Sequence, residues 1–351
     1  MIDAATFTKE HFDRLKTKKN INPPILERAI FALGLIEALA KVGMEFIFKG
    51  GSSLMLLLDH PMRLSTDVDL LLPTGYDLDG YLEKAATIFP FLRKEEDVRK
   101  SNKAITKRHF RFYFRSIDRQ NEELSILLDV VYEENPYSTL VKKEIANDLL
   151  ICKGSPLQVY VPNVDSLLGD KLTAFAPHTI GINFFNEDYS NDKRLEVIKQ
   201  FYDVATLFDF ANDYQEIRQS YLSMCESEIR FRGLNLDYKD CLRDTYRSAK
   251  TILFRGQNGD QDYPNYVEGI RRIRGHIYGD TFSSEVARLY ACEVMFLAAC
   301  LFQDVDPKDV VFSGKNMPKT AHLKSIRSLE KAEKTKRFYE MAVAAIGLMD
   351  E

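Results

Sequence analysis

The stretch Thr66-Asp67-Val68-Asp69-Leu70-Leu71-Leu72-Pro73 constrains this chain more than any other. An apolar run closed by proline reads as a β-strand. Side chains alternate along a strand, so Asp67 and Asp69 are expected on one face and Val68 and Leu70 on the other. Two carboxylates side by side repel each other unless something positive lies between them. A divalent cation resolves that conflict, and Mg²⁺ commonly sits between one or two carboxylates and substrate phosphates. A second apolar strand, 124–132, carries a third acid: Asp129, on a face with Leu127 and Val131. If the two strands are neighbours, three acids converge. Two metals could then bind, one activating a hydroxyl and one holding a triphosphate.

A glycine turn fits the same chemistry. Glu45-Phe46-Ile47-Phe48 reads as a short strand, Lys49-Gly50-Gly51-Ser52-Ser53 as a turn, and the following Leu-Met-Leu-Leu-Leu run as a helix. Glycines let a backbone approach phosphate closely. The N–H groups that open a helix face anions, and the hydroxyls of Ser52 and Ser53 add donors. No lysine closes the loop, since Lys49 precedes the glycines, so this is neither a Walker A loop nor a dinucleotide fingerprint. Arg63 meets either the Asp67–Asp69 carboxylates or phosphate, or simply fixes the loop before the strand. His60, also in that loop, reads as incidental. Taken singly, each piece has a plainer meaning: surface acids, an ordinary turn, a strand cap. Their order and their placement on these elements point to a metal–phosphate site.

The rest of the chain sorts by texture. Up to residue 162 short strands mix with helices: a helix opened by Pro23 and Pro24, a helix over 77–89, and strands over 107–114, 124–132 and 157–161. Beyond that the pattern is helical. The expectation is an α+β protein: a mixed sheet with flanking helices over 1–162, then a mainly helical domain over 163–351. In the first of those later helices Lys171 lies beside the stripe of Leu167, Leu168, Leu172 and Phe175, so it either snorkels to water or faces a site. Residues 177–192 read as a long loop. In the next helix Lys199 and Asp203 share a face, either as an ion pair worth about 0.2–0.5 kcal/mol or as a pair that positions phosphate and metal or Lys171.

Lys and Arg number 48 against 52 Asp and Glu, a net charge of -4. That excludes an overall basic coat but not a local basic face. Residues 315–337 hold Lys315, Lys319, Lys324, Arg327, Lys331, Lys334, Lys336 and Arg337 against Glu330 and Glu333; Arg271, Arg272 and Arg274 form a second cluster. Such residues would grip RNA phosphates rather than read bases, or form an ordinary solvated helix surface. Five scattered cysteines without a CxxC pair argue against a disulfide framework or a zinc cluster. The start does not read as a signal peptide, and the apolar patches fall short of the roughly 20 residues that cross a bilayer. A cytoplasmic protein with no membrane partner is expected.

These residues resemble the nucleotidyltransferase superfamily, and within it the AbiEii/AbiGii toxin family. The likeness is carried by KGGSSL followed by RLSTDVDLLLP, by Leu168-Gly-Asp170-Lys171-Leu172, and by Lys199-Gln-Phe-Tyr202-Asp203. It spans about residues 30–210 and is firm over 47–72. The family's second helix motif commonly has an acid after arginine as well; here Phe201 and Tyr202 precede the single Asp203. The stretch around Phe184-Phe185-Asn186-Glu187 is also longer. The resemblance implies a nucleotidyltransferase fold and a toxin of a toxin–antitoxin or phage-defence system. It also implies a nucleoside triphosphate substrate, Mg²⁺ or Mn²⁺, an RNA or tRNA acceptor, and a protein antitoxin. By the same resemblance Asp67, Asp69 and Asp129 are metal ligands. Gly50, Gly51, Ser52, Ser53, Arg63, Lys171 and Lys199 contact the triphosphate, and the helical domain lends Lys171 and Asp203 to catalysis. A small-molecule or protein hydroxyl acceptor is the competing expectation. A non-catalytic nucleotide binder is disfavoured, because an idle site needs no three costly carboxylates.

Overall fold

The computed structural model describes residues 1–349 apart from 19–20, 99–105, 120–121, 187, 280 and 312–322. It consists of two units, Met1–Asn163 with Gly275–Thr281, and Val164–Arg274 with Phe282–Glu351. The first unit runs α1 (Lys9–Lys18), α2 (Pro23–Lys41), β1 (Ile47–Lys49), α3 (Gly50–Leu57), β2 (Val68–Leu72), α4 (Asp79–Ala85), β3 (Phe91–Glu96), β4 (Thr106–Arg115), β5 (Glu123–Tyr132), β6 (Leu140–Glu144) and β7 (Gln158–Pro162). The strands form one sheet in the order β3-β4-β5-β2-β1-β7-β6. β2 is parallel to β5 and β1 to β7, while the other neighbours are antiparallel. This is the expected mixed sheet with flanking helices.

Burial decides which face is which. Val68, Leu70, Ile126, Leu128, Val130, Phe110 and Phe112 are fully buried, and the register places Leu128 opposite both Val68 and Phe110. Each such side chain contributes about 1.5–3 kcal/mol by leaving water. Helix α2 begins on the two prolines, which cost nothing where the N–H would be unpaired. Its Phe31 stacks on Phe114 of β4 with ring centroids 3.7 Å apart. Asp69 and Asp129 occupy the alternate positions and so take the opposite face.

The edge strands β3 and β6 depart from the sequence expectation, which has no strand at either place. Their sequences, FLRKEE and LVKKE, are charged; β3 is mostly exposed and β6 is exposed or half-buried. Lysine-rich edges of this kind resist pairing with other chains, and they also erase the apolar alternation that marks a strand.

Residues Gly275–Thr281 belong to the first unit although they are distant in sequence from its strands. Leu64 N–H donates to the His276 carbonyl at 2.7 Å, and Tyr278 N–H to the Met62 carbonyl at 3.0 Å. His276 Nδ1 donates in turn to the Leu64 carbonyl at 3.2 Å. The loop that leads into β2 is thereby strapped in place.

The second unit is helical: α5 (Val164–Ala174), α6 (Arg194–Phe208), α7 (Tyr214–Arg232), α8 (Tyr238–Phe254), α9 (Tyr263–Ile273), α10 (Ser284–Gln303), α11 (Leu323–Glu330) and α12 (Glu333–Met349). Helix α10 packs against α8 and α12, and α5 against α7 and α6. The 177–192 loop is pinned within this unit: Phe184 is buried edge-on to Tyr266 at 5.0 Å, and Arg194 lies over the Phe185 ring. Glu187 lies outside the described residues. No helix among the described residues is long and apolar enough to cross a membrane.

Candidate active site

Strand β1 runs directly into the glycine turn, where Gly50 adopts φ +73°. A Cβ on Gly50 would fall 2.0 Å from Asp69 Oδ2, and one on Gly51 2.7 Å from an Arg63 guanidinium nitrogen. The two glycines therefore have a packing role. They let the turn sit between the Asp69 carboxylate and the buried Arg63 side chain.

The serines of the turn are fully buried. Ser52 donates its hydroxyl hydrogen to the Asp67 carbonyl, and Ser53 donates to the Gly50 carbonyl at 2.9 Å. Both hydroxyls thus serve the chain itself, and Ser52 ties α3 to the start of β2. The donors that a helix opening offers an anion are then its first-turn backbone N–H groups. Arg63 Nη1 reaches the Leu64 carbonyl at 3.4 Å, a contact that suits a loop-fixing role.

Across the sheet the register builds a polar row. Lys49 on β1 is opposite Asp69 on β2, Asp69 is opposite Asp129 on β5, and Asp129 is opposite His109 on β4. Directly paired residues share a face, and neighbouring strands lie about 4.8 Å apart. Asp69 and Asp129 are both partly exposed. His109 Nδ1 lies 2.6 Å from Asp129 Oδ1. Nothing in the sequence marks His109; only the β4–β5 register reveals it. His60 is exposed and bonded to Asp148 at 3.0 Å.

Asp67 lies immediately before β2. Strand alternation therefore does not set the direction of the Asp67 side chain, which is exposed. Among the described residues no three His, Cys, Asp or Glu side chains form a ready-made metal cage. The site offers instead an adjacent carboxylate pair. Hard oxygen donors of this kind fit a cation that completes its shell with water and phosphate oxygens, such as Mg²⁺ or Mn²⁺. The unit's buried acids are used differently. Glu27 accepts from Ser116 Oγ at 3.0 Å and from backbone N–H groups beyond it. Glu37 accepts from the Ile2 N–H and from Lys41.

In the helical unit Lys171 Nζ lies 3.1 Å from Asp203 Oδ2, with side chains 8% and 1% exposed. It also donates to Gln200 Oε1 at 3.1 Å. Contact between the Phe175 and Phe201 rings, at 5.1 Å, helps hold α5 and α6 together. Asp203 is thus bound across helices to Lys171, and Lys199 reaches Glu196 at 3.5 Å.

The basic clusters divide. Arg271 and Arg272 both bond to Glu268, at 2.7 and 2.6 Å, and Arg272 also pairs with Asp192 at 2.8 Å. Hydrogen bonds from these arginines bring the Glu268 carboxyl down to about 2. Arg327, Lys331, Lys334, Lys336 and Arg337 are exposed. Lys315 and Lys319 lie outside the described residues, as does the Lys324 side chain.

Among solved structures, an antigenic nucleotidyltransferase-like protein from Paracoccidioides brasiliensis is similar to this chain. It has 13% identity and a TM-score of 0.35, over 59% of this chain and 91% of the other. No curated protein matches the chain. The family described as nucleotidyl transferase AbiEii toxin, type IV TA system, matches residues 35–276, more than half of the chain. The chain therefore belongs to the AbiEii family of nucleotidyltransferase toxins.

Proposed function

We propose that this protein moves a nucleoside monophosphate from a nucleoside triphosphate to the 3′ hydroxyl of an RNA, tRNA being the favoured acceptor, and that this transfer is its toxic activity. The observation that carries the proposal is the Asp69–Asp129 pair on neighbouring parallel strands, with the Gly50 turn against Asp69. A divalent cation bound there supplies Lewis-acid charge to the triphosphate. Asp67, Asp69 and Asp129 would hold it. The backbone at Gly51 and Ser52 orients the phosphates. The Asp129 carboxylate accepts the proton of the attacking hydroxyl as general base. That oxygen forms a new bond to the α-phosphorus, the bond to pyrophosphate breaks, and pyrophosphate leaves with its electron pair. Lys171 and Asp203 are assigned to this reaction by the family motif alone, Lys171 offsetting charge on the leaving group. Lys199 is assigned to the triphosphate on the same basis. A protein antitoxin accompanies the proposal from family membership, and a cytoplasmic setting from the sequence reading.

Exposed Lys331, Lys334, Lys336 and Arg337 support an RNA acceptor. One observation favours a small-molecule or protein hydroxyl instead: Arg271 and Arg272 are already bound to Glu268. The test is incubation of total cellular RNA with each α-labelled triphosphate and Mg²⁺, using native protein and Asp67→Ala. Label in a tRNA-sized band, lost in the variant, is the expected result. No labelled RNA with any nucleotide, from protein that binds Mg²⁺ and triphosphate, overturns the RNA acceptor.

A further inference from the structure

The polar row across the sheet ends on a residue for which the proposed reaction has no task. His109 stands on β4 directly opposite Asp129, and its Nδ1 is 2.6 Å from Asp129 Oδ1. A carboxylate only accepts hydrogen bonds, so Nδ1 carries the hydrogen and donates it. The side chains are 17% and 28% exposed, so the contact is neither lost in solvent nor sealed in the core. His109 is itself fixed from its outer side. Asp97 N–H donates to the His109 carbonyl at 2.7 Å, and Asp97 pairs with Arg111 of β4 at 3.0 Å.

We infer that His109 is a positioning residue for Asp129: its Nδ1–H holds Oδ1, so that Oδ2 is presented beside Asp69 to a divalent cation. The inference rests on the metal reading of the Asp69–Asp129 pair. Without His109, Asp129 is free to rotate, and like-charge repulsion drives it away from Asp69. Histidine holds the carboxylate from the side opposite Asp69, where it leaves the shared space open. Outer partners that orient metal-binding groups typically change metal affinity by about 10–100-fold. The alternative has the opposite sign. If His109 merely occupies Asp129 while no cation is bound, removing it frees the carboxylate and tightens cation binding.

The experiment is a titration of the full chain with Mn²⁺ and a non-hydrolysable triphosphate analogue, following free Mn²⁺ by its paramagnetic resonance. Native protein, His109→Ala, His109→Asn and Asp69→Asn are compared, each with its melting temperature. The asparagine amide nitrogen can stand where Nδ1 stands. His109→Ala is expected to weaken Mn²⁺ binding by about 10–100-fold without loss of fold, and His109→Asn to restore most of it. Unchanged or tighter binding in His109→Ala overturns the inference, and so does an Asn variant as weak as the Ala variant. Failure of the metal reading looks different: the native chain binds no Mn²⁺, or Asp69→Asn binds it equally well, and the inference falls with it.

Discussion

In the sheet, Asp69 and Asp129 lie side by side on neighbouring strands, partly open to solvent. In the helical unit, Asp203 is 1% exposed and is met by Lys171 at 3.1 Å. The first pair concentrates like charge where a third party can reach it. The second has cancelled its own charge and excluded water. A like-charged pair is relieved when one member is neutralised, whereas an opposite pair is broken by the same change. Stability and activity should therefore respond in opposite proportions at the two places.

The largest expected effect is on activity. Asp69→Asn keeps the shape of the side chain and removes one of two adjacent negative charges. Transfer from the triphosphate should fall by at least about 10³-fold, roughly 4 kcal/mol of barrier. The change in unfolding free energy should stay within about 1 kcal/mol, because the substitution relieves repulsion while keeping the side chain's shape. Label-transfer rates beside urea unfolding curves check both. A large loss of stability would mean that the acid pair helps to build the sheet.

Lys171→Ala should show the reverse balance. It takes the Lys171 charge away from Asp203 in a buried setting, at a cost of about 3–5 kcal/mol. Replacing both members with apolar residues of similar size, Lys171→Met with Asp203→Leu, should recover most of that stability and none of the activity. Unfolding midpoints for the single and double variants decide it. A single variant as stable as the native protein would show that the pair is not closed in solution. Because Lys171→Ala damages the fold, activity lost in that variant alone assigns no catalytic role. The double variant separates the two causes.

How much of this is legible in the sequence follows the same division. The central strands β2 and β5 announce themselves by apolar residues at every second position, and their acids break that pattern conspicuously. β3 and β6 do not, since their edge position favours charge over alternation. Alternation predicts that Asp67 shares a strand face with Asp69, but β2 begins one residue later. His109 has no sequence mark at all: its meaning comes from a register between β4 and β5. Helical spacing leaves Asp203 either to Lys199 as an ion pair or, with Lys199, to the positioning of Lys171, and only the packing of α5 on α6 shows Asp203 meeting Lys171. Periodicity reports a residue's own element, and the partner across elements is set by packing. The Gly275–Thr281 strap over the Arg63 loop is hidden for the same reason.

A third acid extends the comparison. Glu293 on α10 is 1% exposed, and burial, with the nearby Asp209 charge, pushes its carboxyl from 4.5 to about 9. Below the unfolded value both states hold the proton. Between that value and about 9 only the folded state does, so the unfolded state gains by ionising and stability falls as pH rises. The slope is at most about 1.4 kcal/mol per pH unit. Glu293→Gln has no proton to lose. At neutral pH it should be more stable than the native chain by about 1–3 kcal/mol, and its advantage in melting temperature should grow from pH 5 to pH 8. A constant difference across that range would mean that Glu293 is ionised in the folded protein.

The smallest effect on stability is expected at the exposed end of the helical unit. Lys331 and Lys334 are in solvent, one on either side of the start of α12. Replacing both with alanine should change unfolding free energy by no more than about 0.5 kcal/mol. Their value, on the RNA reading, lies in counterions released when they meet phosphates. Each phosphate that the protein no longer neutralises should reduce the slope of log affinity against log salt by about 0.7–1. RNA binding by the double variant should thus be weaker at low salt and should converge on the native value as salt rises. The converging curves matter more than the size of the loss, because a misfolded or generally weakened protein would bind less at every salt concentration. A slope equal to that of the native protein would return these lysines to the role of a solvated helix surface. It would shift the acceptor toward a small molecule or protein, while leaving the Asp69–Asp129 pair with the same chemistry to perform.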